Sequence, residues 1–195
     1  SIYATKIICG DCGSYFGAKV WHSNSKYRRV IYQCNSKFKG SHFCTTPHLY
    51  EPEIQEKFLQ AFAQYFSQRD AVIKNCQFAL TRLKKQESKK AELQDELVAV
   101  NEKLKDYIQH GGENFDALNA KYEELSAKLD AEETAESDRK RRIAKMQKIL
   151  LMLKKTDSVL ETFDESVWNA VLENLTVFHD GSLVFLFRDG TEIKV

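Results

Sequence analysis

Proline is nearly missing from this 195-residue chain: Pro47 and Pro52 are the only two, and everything after them is proline-free. The commonest cause of helix termination is therefore absent from most of the sequence. Glycine is sparse over the same stretch, at Gly111, Gly112, Gly181 and Gly190. No apolar run approaches the ~18 residues that a membrane span requires, and no secretory apolar segment opens the chain. A membrane protein is excluded on that pattern, and a soluble cytosolic or nuclear one is expected. Acidic residues are almost absent from the first fifty positions, where Asp11 stands against Lys6, Lys19, Lys26, Arg28, Arg29, Lys37 and Lys39. That segment carries +6, so in a chain of net charge +1 the remainder carries −5. A basic end beside an acidic body points to a polyanion-binding module, most simply one for nucleic acid. The alternative is a basic surface without a partner.

Cysteine is scarce as well, and four of the five fall early, at Cys9, Cys12, Cys34 and Cys44. A C-x2-C turn followed by a second, wider pair is the pattern of one four-thiolate structural zinc ion. Gly10 and Gly13 in CGDCG let the backbone turn beside the sulfurs. The ten-residue step from Cys34 to Cys44 leaves two other readings open: His42 in place of Cys44, or reduced or disulfide-bonded cysteines without metal. Cys76 lies on an apolar helical stripe and reads as a small core residue.

Residues 3–9 and 15–34 alternate and are rich in aromatic and β-branched types, with HSNSK as a turn, so a zinc ribbon is expected. So short a segment buries little apolar surface, and metal ligation should supply much of its stability. An amphipathic helix is predicted from Glu51 or Pro52, with Ile54, Phe58, Phe62 and Phe66 on one face.

From Ala71 to His110 a single uninterrupted helix is predicted, about 57 Å long at 1.5 Å per residue. Gly111-Gly112 should fold it back into a second helix over 113–155, giving an antiparallel coiled-coil hairpin. The predicted seam runs through Cys76, Leu80, Leu83, Glu87, Lys90, Gln94, Leu97, Asn101, Leu104 and Ile108. Facing it are Phe115, Leu118, Tyr122, Leu125, Leu129, Glu132, Glu136, Arg139, Ile143, Met146, Leu150 and Leu153. Facing positions should sum to about 223. The seam is polar at mid-height in both helices, where Glu87–Arg139 and Lys90–Glu136 pairs and a bend are expected. At the tip, Tyr107, Ile108, Phe115 and Leu118 either staple the turn or form a protein contact. The basic run Arg139, Lys140, Arg141, Arg142, Lys145 and Lys148 reads mainly as a solvated helix face. A short helix, ESVWNAVLENL, and a three-strand meander with turns at His179-Asp180-Gly181 and Arg188-Asp189-Gly190 close the chain.

The expected fold is α+β: a small zinc-ribbon domain with a long antiparallel coiled-coil hairpin inserted, and a C-terminal β meander packing back on the ribbon end. The predicted parts are 1–70 (ribbon and first helix), 71–156 (coiled-coil arm, tip near 107–118) and 157–195 (short helix and meander). Beginning at Ser1, directly in strand-like sequence, the chain is expected to be a piece of a longer protein.

Taken in order, the CGDCG ribbon with Cys34 and Cys44, EPEIQEKF, the helical hairpin and VFHDGSLVFLFRDGTEI resemble the C-terminal zinc-ribbon and coiled-coil region of large serine recombinases, the integrases of phages and mobile elements. The resemblance implies one structural Zn2+ on Cys9, Cys12, Cys34 and Cys44, and a ribbon that binds the outer part of an attachment half-site in double-stranded DNA. It also implies a coiled coil that contacts other recombinase subunits, a directionality factor as a further partner, and the cytoplasm of a bacterial host. The nucleophilic serine of that family belongs to a domain not contained in this sequence, so no catalytic residue is expected. For DNA contact the favoured residues are Lys19, Trp21, His22, Ser23, Asn24, Lys26, Tyr27, Arg28 and Arg29, followed by Lys37 and Lys39. Trp21 and Tyr27 have a competing reading as the ribbon's core. The competing function is a zinc-ribbon coiled-coil scaffold that binds protein and not DNA. A zinc-hook protein is excluded because glycines, not cysteines, occupy the hairpin apex.

Overall fold

A computed structural model describes residues 1–39, 44–111 and 114–195. His42 and Gly112 lie outside the described residues. The fold is α+β and divides into two units: residues 1–77 with 145–195, and residues 78–144 between them in sequence.

The first unit holds two sheets. One contains β2 (Phe16–Trp21), β3 (Arg29–Cys34) and β4 (Leu49–Tyr50) in antiparallel order. The other runs β1 (Ile7–Cys9), β5 (Leu172–Val177), β6 (Leu183–Phe187), β7 (Glu192–Lys194). The C-terminal meander is thus joined to the ribbon strand: β1 pairs parallel with β5, Ile7 opposite Leu175 and Cys9 opposite Val177. Helix α1 (Glu51–Ser67) begins with Pro52 in its first turn and with the Tyr50 N–H donating to the Glu53 carboxylate. Its apolar face, Ile54, Phe58, Ala61, Phe62 and Tyr65, is fully buried. Tyr65 stacks on Phe187 at 4.0 Å, and Phe58 meets Trp168 edge-on at 4.9 Å. Trp168, which Tyr3 also meets edge-on at 5.3 Å, donates from Nε1 to the Ile2 carbonyl. One aromatic core therefore draws on both ends of the chain.

The short helix α5 (Glu165–Val171) is capped by Asp164, whose carboxylate accepts from the N–H groups of Ser166 and Val167. It ends earlier than expected. Leu172, Glu173 and Asn174 belong to β5, where Leu172 and Leu175 are buried in the sheet. An alternating pattern that also fits a helical face was resolved by sheet pairing.

The expected unbroken helix over 71–110 is two helices, α2 (Arg69–Lys85) and α3 (Lys90–His110). Residues 86–89 are not helical. The break coincides with the polar layer, where the QESK sequence offers no apolar side chain to hold a seam together. It also resets the heptad phase. Beyond it the sheltered positions are Lys90, Leu93, Leu97, Val100, Leu104 and Tyr107, with Val100 buried, while Gln94, Asn101 and Ile108 face solvent. Helix α4 (Phe115–Lys155) keeps its predicted seam from Leu118 to Leu153, every position half-buried or buried, with Leu125, Leu150 and Leu153 buried. The hairpin register is also the expected one: Lys90 pairs with Glu133 at 2.8 Å, and the Tyr107 and Phe115 rings lie 5.3 Å apart. Lys90 therefore bonds Glu133 in place of Glu136, which holds Lys140 instead. Among the described residues no Glu87–Arg139 pair forms.

Candidate metal centre and nucleic-acid interface

Cys9 closes β1, Cys12 follows in a tight turn, Cys34 closes β3, and Cys44 leads toward β4. The turn is held by the Gly13 N–H on the Cys9 carbonyl at 2.9 Å and the Cys9 N–H on the Ser14 carbonyl at 2.9 Å. Gly13 sits at φ 72°, a left-handed conformation that suits glycine. Gly10 has a different reason: a Cβ there would come within 2.6 Å of the Phe178 ring.

The four sulfurs lie within 4.8 Å of one another. Cys9 and Cys44 are 3.4 Å apart, as are Cys12 and Cys34. A disulfide needs about 2.05 Å, whereas a tetrahedral zinc thiolate site with ~2.3 Å bonds places its sulfurs about 3.8 Å apart. The cluster fits a metal and not a pair of disulfides. Its electrostatics agree. Burial pushes the Cys9 thiol up, and at Cys34 burial together with the neighbouring Cys12 and Cys44 sulfurs does the same. At Cys12 burial is outweighed by the Ser14 backbone and hydroxyl and by Cys34, which bring the thiol down to about 6. Four thiolates so close repel one another unless a cation sits among them.

Sequence reasoning missed two residues around this cluster. Thr46 is fully buried, its hydroxyl 3.0 Å from the sulfurs of both Cys9 and Cys44, and it donates to the Asp11 carboxylate. Such groups orient ligands. The available signal was a threonine two residues after the last cysteine and the lone acid inside C-x2-C. The centre is also tied to the C-terminal meander: the Gly10 N–H donates to the Val177 carbonyl, and Thr45 Oγ1 meets His179 Nδ1 at 3.1 Å.

The β2–β3 hairpin carries most of the predicted DNA residues. His22, Ser23, Asn24, Lys26, Tyr27 and Arg28 form its exposed tip, together with Ser25, whose N–H and hydroxyl both donate to the His22 carbonyl. His22 is left-handed at φ 53°. Lys26 lies over the Tyr27 ring at 5.2 Å, and Tyr27 is 66% exposed, so it is no core residue. Trp21 is half-buried against His48, 4.7 Å between rings, and His48 meets Tyr50 edge-on. Arg29 lies over the Tyr50 ring at 5.5 Å. An aromatic ladder unforeseen in the sequence thus braces the hairpin. Burial, with Lys37 and Arg29 nearby, lowers the His48 pKa. Lys19 is exposed, as is Lys39, while Lys37 donates to the Thr46 carbonyl beside the metal cluster.

At the helical tip Tyr107 is half-buried, Leu118 likewise, and Ile108 and Phe115 are exposed. In the basic run of α4, Lys140 pairs with Glu136, Arg141 with Asp138 and Lys145 with Glu173. No described helix is long and apolar enough to cross a membrane.

Residues 2–63 match the family model of the recombinase zinc beta ribbon domain. No curated protein matches the chain. Among solved structures, a chain from "Crystal Structure of a LSR-DNA Complex" aligns with 96% of this chain at 16% identity and a TM-score of 0.42. The alignment covers 56% of that chain, so the present one spans little more than half its length.

Proposed function

We propose that this chain, whose residues 2–63 match the family model of the recombinase zinc beta ribbon domain, is the DNA-binding C-terminal region of a serine recombinase. The observation that carries the reading is the hairpin tip: Lys26 and Arg28 with His22, Asn24 and Tyr27, all exposed, on a basic ribbon braced from behind by Trp21, His48 and Tyr50. A two-stranded β-ribbon fits the major groove, where cations meet phosphates and Asn, His or Arg reach base edges. Zinc, held by Cys9, Cys12, Cys34 and Cys44, is structural: it fixes the base of the ribbon and leaves no open coordination position for chemistry. The helical hairpin then serves contacts between recombinase subunits through Tyr107, Ile108, Phe115 and Leu118. Strand cleavage belongs to the parent protein's serine domain.

Fluorescence anisotropy of labelled duplex DNA across a salt series tests this, with zinc-loaded and chelator-stripped protein. Zinc-dependent, salt-sensitive binding is expected. Replacing Arg28 and Arg29 together by Ala should flatten the plot of log K against log salt by roughly one to two units. If folded, zinc-loaded protein ignores duplex DNA even at low salt, the protein-scaffold reading replaces this one. Tyr107→Ser with Ile108→Ser should leave DNA binding intact while impairing synapsis by the full-length parent; normal synapsis would make the tip structural only.

A further inference from the structure

Away from the ribbon hairpin, four cations from three chain segments gather around one carboxylate: Lys145 and Arg188 reach Glu173, Lys6 lies within its field, and Lys148 is near Lys6. Lys6 precedes β1, Lys145 and Lys148 lie three residues apart on α4, and Arg188 follows β6. Lys6 Nζ and Arg188 Nε both donate to the Leu172 carbonyl, at 3.2 and 3.1 Å. Glu173, the next residue, accepts from Lys145 with both oxygens at 2.7 and 3.0 Å, and Arg188 stands 3.7 Å away. The one carboxylate is thus engaged chiefly by Lys145. Lys148 is exposed and forms no ion pair or hydrogen bond among the described residues. Lys6 is half-buried, and its ammonium is pushed down to about 8, by burial first and then by Arg188 and Lys148, with Glu173 only partly offsetting them.

A network serving stability alone gains by matching each cation with an acid, whereas this cluster keeps an excess of three positive charges. Such crowding is relieved by an external anion, and donors spread over several residues suit a run of phosphodiesters better than one small ion. We propose that Lys6, Lys145, Lys148 and Arg188 form a second contact for the duplex phosphate backbone, separate from the hairpin of residues 22–29. The inference rests on the DNA-binding reading above and adds a second face to it.

The test uses the zinc-loaded chain and labelled duplex in the same salt titration. Lys148→Gln, at an exposed position, should lower the slope of log K against log salt by about 0.9, and Lys6→Gln with Lys148→Gln by about 1.8. Glu173→Gln removes the competing carboxylate and should tighten binding severalfold at fixed salt while lowering the melting temperature. A purely structural network predicts no gain in affinity from that change. If the wild type and the Arg28→Ala/Arg29→Ala variant differ in slope but Lys148→Gln and Glu173→Gln both match the wild type, the second contact is overturned and the hairpin reading stands. If the wild type does not bind duplex at all, both fall together.

Discussion

The two units of this chain are built on opposite principles. In residues 78–144 each contact follows from local periodicity: Lys90 meets Glu133, and Tyr107 meets Phe115, as an antiparallel register about the glycines requires. In the other unit the decisive contacts join distant segments, such as Ile7 with Leu175, Tyr3 with Trp168 and Cys9 with Cys44. A local structure can lose one layer and stay helical on either side, as residues 86–89 demonstrate. A structure knit from distant segments depends on a few cross-links, of which the metal cluster is the most concentrated.

The largest effect should therefore come from the metal. Chelation, or Cys34→Ser, should remove about 10–16 kcal/mol of metal-linked folding energy from the ribbon. Near-UV circular dichroism from Trp21 and Trp168 should collapse while most of the far-UV helical signal survives. Equal loss of both signals would erase the contrast between the units. Next is Trp168→Ala, which empties the centre of the aromatic core and should cost about 3–5 kcal/mol in a denaturant melt. A much smaller cost would mean that the core is shared less widely than the ring contacts imply.

The hairpin offers a finer pair. Val100→Ser places a hydroxyl in the seam and should cost about 2 kcal/mol, whereas Asn101→Leu, at a solvent-facing position, should stay within about 0.5 kcal/mol. The opposite ranking would restore the unbroken heptad phase expected for one continuous helix. A further effect concerns pH. Folded Lys6 releases its proton near 8 and the unfolded side chain near 10.5. Between these values the unfolded state binds more protons, so stability should rise with pH over that window. The penalty is full below 8 and gone above 10.5. Urea midpoints of the wild type and Lys6→Met should converge as pH rises from 7.5 to 10.5; a constant difference would remove the desolvated ammonium from the account.

Legibility in the sequence followed the range of the interactions. The α4 seam, the β2–β3 hairpin, the start of α1 and the four-cysteine cluster were all readable, because each depends on spacing within a turn, a strand or a heptad. Half of the predicted α3 seam was off by one position, with Leu93, Val100 and Tyr107 in place of Gln94, Asn101 and Ile108, because a four-residue break carries no proline or glycine to announce it. At the site, the four-cysteine cluster was readable but the groups around it were not. Thr46, Asp11 and the His48–Tyr50 brace act through contacts that arise only when β4 folds beside β3 and the metal turn.

By itself the sequence determined most element types, the helical-hairpin register and the thiolate cluster, since hydrophobic period, turn chemistry and ligand spacing are properties of short segments. Only the tertiary structure decided that the last strands join the first through a parallel β1–β5 pair, that α5 stops at Val171, and that Lys6, Lys145, Lys148 and Arg188 share one face. The physical reason is the same in each case. Pairing edges, buried aromatic contacts and crowded charges are chosen by segments far apart in the chain, and their free energy exists only once those segments meet.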